Sequence, residues 1–318
     1  METIKTLVTE VRNKAQGIKI YELRSLDGSN LPAFSAGAHI DVNVPNGFVR
    51  SYSLCNSPSE SHRYLIAVNL DQASRGGSIC MHASVRSGDV LTISPPINNF
   101  ELAEDAKMSF LIAGGIGITP LWSMVQRLQD IRKPWRLYYC AREPRAAAFV
   151  DELQQYAMPE RERLHLHFDS EQAGKLLDLA EIVKHARADT HLYCCGPAGL
   201  IEAFECATRS LPRSLLHVEH FSNSQRPAIA GGFVVELAKS KKQLTIPAGS
   251  SILDALLAAG VDAPYSCQEG LCATCETRVI AGIPDHRDHV LSEREKASNC
   301  TIMICCSGSK SDRLILDL

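Results

Sequence analysis

No apolar run in this sequence approaches the roughly 18 residues that a membrane-spanning helix needs. The longest, 110–119, is broken by three glycines. Positive charge is not in excess either. With 33 Lys and Arg against 36 Asp and Glu the net charge is −3, so no general basic field is available to hold nucleic acid or an anionic membrane. The first residues, METIKTLVTEVRNK, lack the apolar centre of a secretory signal, and a reducing, cytoplasmic location is expected. At 318 residues the chain is long enough for two or three domains at roughly 150 residues each, so neither disulfides nor a metal is needed to stabilise a small core.

Twelve cysteines therefore need another reason. Seven of them (Cys55, Cys80, Cys140, Cys194, Cys195, Cys206 and Cys300) show no ligand spacing and read as small buried apolar side chains. The others form a pattern. Cys267, Cys272 and Cys275 have C-x4-C-x2-C spacing around Gly270, and a Cys305-Cys306 pair follows downstream. That is the spacing of the plant-type [2Fe–2S] loop, whose fourth thiolate comes from farther along the chain. A structural zinc site would more naturally carry a second CxxC or a His pair, and a Rieske cluster would need two His ligands; neither is present. The histidines of 285–289 (DHRDH) read as part of a polar turn. From the residues alone the fourth ligand is Cys305 or Cys306. The surrounding segments predict a hairpin over 233–246, a helix over 250–259 stopped at Gly260, and a strand over 301–305.

Upstream, an apolar strand at 108–113 runs into Gly114-Gly115-Ile116-Gly117-Ile118-Thr119-Pro120 and then a helical pattern over 121–128. Strand, glycine-rich turn and helix together suit a nucleotide phosphate, with Thr119 as the expected N-cap and Pro120 as the first helical residue. The third glycine of the dinucleotide fingerprint is missing. Strands at 136–140, 164–168 and 191–195 alternate with helices at 147–156 and 177–185, which predicts a parallel sheet whose last strand ends at Cys195-Gly196-Pro197. The first hundred residues differ. Short strand-like stretches at 40–44, 50–54, 64–70 and 90–93 predict a small antiparallel barrel. Two motifs there, Arg50-Ser51-Tyr52-Ser53 and Arg75-Gly76-Gly77-Ser78, are suited to a ring and a phosphate.

Taken in this order, these motifs and the closing LILDL resemble the phthalate dioxygenase reductase family of the ferredoxin–NADP reductase superfamily, over essentially the whole chain. The resemblance implies three parts: an antiparallel β-barrel flavin domain (1–103), an α/β parallel-sheet pyridine-nucleotide domain (104–222) and, after a linker at 223–228, a C-terminal β-grasp plant-type ferredoxin domain (229–318). It implies FMN held by Arg50, Tyr52, Ser53, Val68, Asn69, Gly76, Gly77, Ser78, Thr119 and Phe221. The nicotinamide would lie near Gly115, Thr119, Cys195, Gly196 and Pro197, and the adenosine half near Cys140, Ala141, Arg142 and Asp169. It makes Cys305 the fourth cluster ligand beside Cys267, Cys272 and Cys275. Leu70 departs from the basic residue that the family often has there. A carboxylate at Asp169 would repel a 2′-phosphate, which points to NADH.

The implied activity is electron transfer from NADH through FMN and the cluster to a Rieske-type oxygenase, by hydride transfer from nicotinamide C4 to flavin N5 and then single-electron steps. No side chain is expected to act as an essential acid or base; Ser53 and Cys195 are the positioning candidates. A monomer without membrane or nucleic-acid partners is expected. A reductase serving a different acceptor is the alternative.

Overall fold

The computed structural model describes residues 3–72, 76–158, 160–222 and 226–318. The chain divides into two compact units, Met1–Phe221 and Ser222–Leu318.

The first unit begins with an antiparallel sheet of six strands: β1 (Ile4–Ala15), β2 (Ile18–Ser25), β3 (His39–Asn43), β4 (Val49–Ser53), β5 (Tyr64–Asn69) and β6 (Val90–Ile93), with helix α1 (Gly77–Ser84) before the last. The strand order is β4-β3-β6-β1-β2-β5, and a bridge between Leu54 and Ile66 brings its two ends toward each other. Alternation places Ile40, Val42, Tyr21, Leu23, Ile66 and Val68 inside this open barrel. The two longest strands, β1 and β2, are absent from the sequence reading. Their Lys, Arg and Glu residues obscure the alternation, and one of these, Glu22, is itself buried within an ionic network.

The unit continues with β7 (Met108–Gly114), α2 (Ile118–Asp130), β8 (Trp135–Ala141), α3 (Val150–Tyr156), β9 (Leu164–Phe168), α4 (Leu179–Lys184), β10 (Thr190–Gly196), α5 (Ala198–Thr208) and β11 (Leu216–His220). All five strands are parallel, in the order β11-β10-β7-β8-β9. The chain builds outward from β7 to β9 and then returns to the other side of β7, so the order reverses between β7 and β10. Both sheets contribute to one core: Ile18, Ile20, Leu65 and Phe100 pack with Leu111, Leu121, Trp122 and Tyr193.

Helix α2 begins earlier than expected. Gly115–Gly117 form a 3-10 turn that runs directly into it, so Gly117 is the N-cap and Thr119 lies inside the helix, donating its hydroxyl proton to the Ile116 carbonyl at 3.0 Å. Pro120 is the third helical residue, where its missing N–H has no intrahelical acceptor to lose.

The second unit contains β12 (Val234–Leu237), β13 (Gln243–Thr245), α6 (Ile252–Ala258), β14 (Glu276–Ala281), β15 (Pro284–Asp285), α7 (Glu293–Ser298), β16 (Thr301–Met303), β17 (Gly308–Ser309) and β18 (Arg313–Leu316). The main sheet has the order β13-β12-β18-β14-β16, with β12 and β18 parallel, and α6 lays Ile252, Leu253 and Leu256 into its core. This is a β-grasp. Capping boxes at Ser251–Asp254 and Ser292–Glu295 start its two helices.

Candidate functional site

The segment from Cys267 to Cys275 wraps because three of its residues, Gln268, Gly270 and Ala273, are left-handed, with φ of 56°, 71° and 62°. At Gly270 only a glycine fits. An added Cβ would lie 2.4 Å from Cys306 Sγ and 3.2 Å from Asp288 Cα. The wrap buries Cys267, Cys272 and Cys275, and the turn after β16 brings in Cys305; all four are at most 6% exposed. Their thiols meet as two pairs, Cys267 with Cys272 and Cys275 with Cys305. Glu269 N–H donates to Cys267 Sγ at 3.3 Å.

A dinuclear cluster needs two thiolates for each iron and inward N–H groups against its negative charge, and the pocket supplies both. The fit is to that arrangement; among the described residues no three or more ligating side chains converge on a single ion. Cys305 also touches Cys306. The Cys306 thiol lies against Gly270, with Met303 O at 3.9 Å and Ser307 Oγ at 3.8 Å. The 285–289 segment is no surface turn. Asp288 is fully buried and accepts the N–H groups of Val290 and Leu291, and the segment is tied to the cysteine loop by His289 N–H, which donates to the Gly270 carbonyl at 3.1 Å.

In the first unit the two motifs read as flavin contacts come together. Arg50 projects from β4 across the start of α1, so that a Cβ on Gly77 would strike its side chain at 2.8 Å. Its guanidinium also covers the Phe48 ring at 4.7 Å. Gly76, at φ 101°, is the N-cap of α1, and Ser78 Oγ accepts the Asp71 N–H at 3.2 Å. Arg75 lies outside the described residues. A guanidinium, a glycine turn and a helix N-terminus in one place make an anion site. Tyr52 is half-buried on the barrel side of β4 beside Arg50, with burial raising its phenol pKa. Ser53 is buried at the end of the strand; Val68 is buried on β5, and Asn69 is exposed at its end. Phe221 ends the unit, 36% exposed.

The carboxyl edge of the parallel sheet carries the second group. The turns after β7 and β10 leave the sheet on either side of the order reversal, where open α/β sheets bind ligands. They are too close for side chains. A Cβ on Gly117 would lie 2.2 Å from the Cys195 carbonyl oxygen, and one on Gly114 would lie 2.7 Å from Pro197. Gly115, with φ 54° and open space at its Cβ position, faces outward between Gly114 and Thr119. Gly196 packs on Gly114, and Thr119 is 2% exposed.

Cys195 is fully buried, with its thiol 3.9 Å from the Glu219 carboxylate on the neighbouring strand β11. Glu219 keeps some exposure as a residue, yet its carboxyl is enclosed, and burial raises its pKa to about 8 against the lowering effect of the Cys195 contact. Glu219 is assigned no role from the sequence. The signal lay in strand register, since Cys195 and Glu219 are paired residues of parallel strands. Two strands away, Cys140 and Ala141 end β8, Arg142 follows, and its carbonyl accepts the Ser170 N–H at 2.9 Å, which sets Asp169 beside it. The two groups are separated by two strand spacings, about 10 Å, along one edge.

Of the seven scattered cysteines, Cys55, Cys194 and Cys195 are buried, and Cys80 and Cys140 are partly so. Cys206 and Cys300 are exposed, contrary to the expectation of a buried role, because one lies on the outer side of α5 and the other in the turn before β16.

A guanidinium beside a helix N-terminus, paired glycine turns at a sheet reversal and a four-thiol pocket in one chain are the parts expected of an NAD-dependent iron–sulfur oxidoreductase. Two family models match: the oxidoreductase NAD-binding domain over residues 111–205 and the 2Fe-2S iron-sulfur cluster binding domain over residues 235–309. The phenoxybenzoate dioxygenase subunit beta of Ectopseudomonas oleovorans is 49% identical over 318 residues, covering 100% of this chain and 98% of that protein. The tetrachlorobenzoquinone reductase of Sphingobium chlorophenolicum is 48% identical, covering 100% and 99%. The solved structure of phthalate dioxygenase reductase, a modular protein for electron transfer from pyridine nucleotides to [2Fe–2S], superposes with a TM-score of 0.78 at 39% identity, covering 99% of this chain and 98% of that one. This chain belongs to the phthalate dioxygenase reductase family.

Proposed function

We propose that this protein passes electrons from NADH through FMN and a [2Fe–2S] cluster to a Rieske-type oxygenase. The observation that carries the reading is the presence in one chain of the close-packed glycine turns at the sheet reversal and the buried pairing of Cys267 with Cys272 and Cys275 with Cys305. The flavin, when bound, links two-electron chemistry on the nicotinamide to single-electron chemistry on the cluster. Arg50, with Gly76 to Ser78 and the N-terminus of α1, holds the phosphate. Tyr52, Val68, Asn69, Thr119 and Phe221 bound the ring, and Ser53 orients its reactive edge. The absence of side chains at Gly114 and Gly117 lets the turns after β7 and β10 close on each other, while Gly115, Cys195, Gly196 and Pro197 shape the nicotinamide pocket and Glu219 can hold a proton next to the Cys195 thiol. Cys140, Ala141, Arg142 and Asp169 receive the adenosine half, and Asp169 disfavours a 2′-phosphate. The protein acts as a monomer in the cytoplasm.

The test is a visible spectrum of the purified protein followed by anaerobic NADH titration. Overlapping flavin and iron–sulfur bands that bleach with NADH, and FMN released on denaturation, are expected; a protein that stays colourless after reconstitution would overturn the reading. A second reading, a reductase whose acceptor is a small quinone, is favoured by the 48% identity to a tetrachlorobenzoquinone reductase. NADH oxidation that a quinone alone supports at the full rate, with no stimulation by an oxygenase component, would select it.

A further inference from the structure

Strands β3 and β4 pair so that His39 faces Ser53, Ile40 faces Tyr52, Asp41 faces Ser51 and Val42 faces Arg50. Ile40 and Val42 point into the barrel. The opposite face therefore carries four polar side chains: His39, Asp41, Ser51 and Ser53.

Leu54 N–H donates to the Ala38 carbonyl, so residues 38 and 54 are a hydrogen-bonded pair and 39 and 53 are not. In such a non-bonded pair the side chains come closest, with Cα atoms about 4.5 Å apart. The next pair on this face shows the same proximity, since Ser51 Oγ donates to Asp41 Oδ1 at 2.6 Å. The backbone of His39 is used elsewhere: its N–H donates to the Ile97 carbonyl, and its carbonyl accepts from Ile97 N–H, both at 2.9 Å.

The imidazole is then fixed at its root and only 6% exposed. Its Nε2 is buried and has no hydrogen-bond partner among the described residues. Asp41, two residues along the same face, is the charged group that acts on it; burial lowers the imidazole pKa and Asp41 opposes this, so a neutral ring is favoured. A neutral imidazole with one unmet nitrogen, set against the serine at the flavin edge, lacks a polar atom that the chain does not supply.

We propose that His39 is a flavin-binding residue whose Nε2 makes a hydrogen bond to the isoalloxazine ring beside Ser53. The proposal rests on the reading that Ser53 touches the flavin, and the experiment separates the two.

Full-length protein with His39→Ala, His39→Gln or Ser53→Ala is diluted from the FMN-bound state, and FMN dissociation is followed by its fluorescence, together with the absorption band of the bound flavin. His39→Ala is expected to weaken FMN binding about tenfold, the effect of one neutral hydrogen bond, and to shift the flavin band. His39→Gln, which keeps a hydrogen-bonding group, is expected to recover most of the affinity. Melting of the flavin-free protein is expected to be unchanged in His39→Gln and Ser53→Ala, and lower in His39→Ala by the cavity that its buried ring leaves.

If Ser53→Ala changes binding or the band and His39→Ala changes neither, His39 is no flavin ligand. If His39→Ala and His39→Gln both lose affinity while the flavin-free protein melts at a correspondingly lower temperature, the histidine only supports the strand and the proposal falls. If Ser53→Ala itself leaves both readouts unchanged, the placement of the ring at this face is wrong, and the proposal falls with it.

Discussion

Two adjacent cysteines end the turn after β16, and their neighbours divide their roles. Cys305 meets Cys275, whereas Cys306 fills the space under Gly270. Cys305→Ser should therefore abolish the iron–sulfur absorption of the purified protein, and Cys306→Ser should retain it. The reverse outcome would reassign the fourth ligand. At Asp169 the charge is the point: Asp169→Ala is expected to raise kcat/KM for NADPH relative to NADH by about tenfold, since charge-assisted contacts are worth more than neutral ones. An unchanged ratio would remove this carboxylate from specificity.

Glu22 shows what a residue can do away from the site. Burial would raise its pKa, but hydrogen bonds from Arg63, Thr9 and Arg24 outweigh this and hold the carboxyl at about 2. Because the folded pKa lies below the unfolded one, its stabilisation is present above about pH 4.5 and is lost as pH falls toward 2. The stability gap between wild type and Glu22→Gln, on the order of 2 kcal/mol at neutral pH, should close over that interval in urea melts.

Helices and strands were legible in unequal measure. The 90–93 and 164–168 strands coincide with β6 and β9, because one is a short apolar and β-branched segment and the other alternates Leu and His before Phe168, both patterns that suit a strand. The start of α2 is not legible in Thr119 and Pro120, since the 3-10 turn that feeds the helix puts a glycine, with no side chain to signal a cap, at the N-cap position. The cysteine loop could be found from spacing alone, but Glu219 and His39 could not. Their positions depend on register across strands distant in sequence, which local patterns do not carry. Packing of the α2 start against β10 gives a prediction at this scale. Gly117→Ala would force its methyl group to 2.2 Å from the Cys195 carbonyl, so the turn must open. Thermal stability should fall, and KM for NADH should rise, with the iron–sulfur spectrum unchanged; a variant with native KM would show that the two turns tolerate separation.

On the scale of the whole molecule, the division at 221 and 222 falls at the head of the stretch expected to be a linker, of which 223–225 lie outside the described residues. Proteolysis within 222–228 should yield a fragment of the first unit that NADH still reduces and that lacks iron–sulfur absorption. Retention of full cytochrome c reductase activity by that fragment would mean that electrons leave before the cluster. The composition and the motif order were enough to expect three folded parts. They could not foretell that the barrel and the parallel sheet share side chains in one core, because Ile18 and Leu65 carry no mark of a partner a hundred residues away.

That shared core has a consequence for descent. A substitution at Trp122 or Phe100 is felt by both sheets at once, so the barrel and the nucleotide-binding part must be inherited as a matched set, each constraining drift in the other. The C-terminal ninety or so residues have a core of their own, built from Phe233 to Leu316. They form a cassette whose core residues all lie on one side of a single junction, so recombination there would divide neither core.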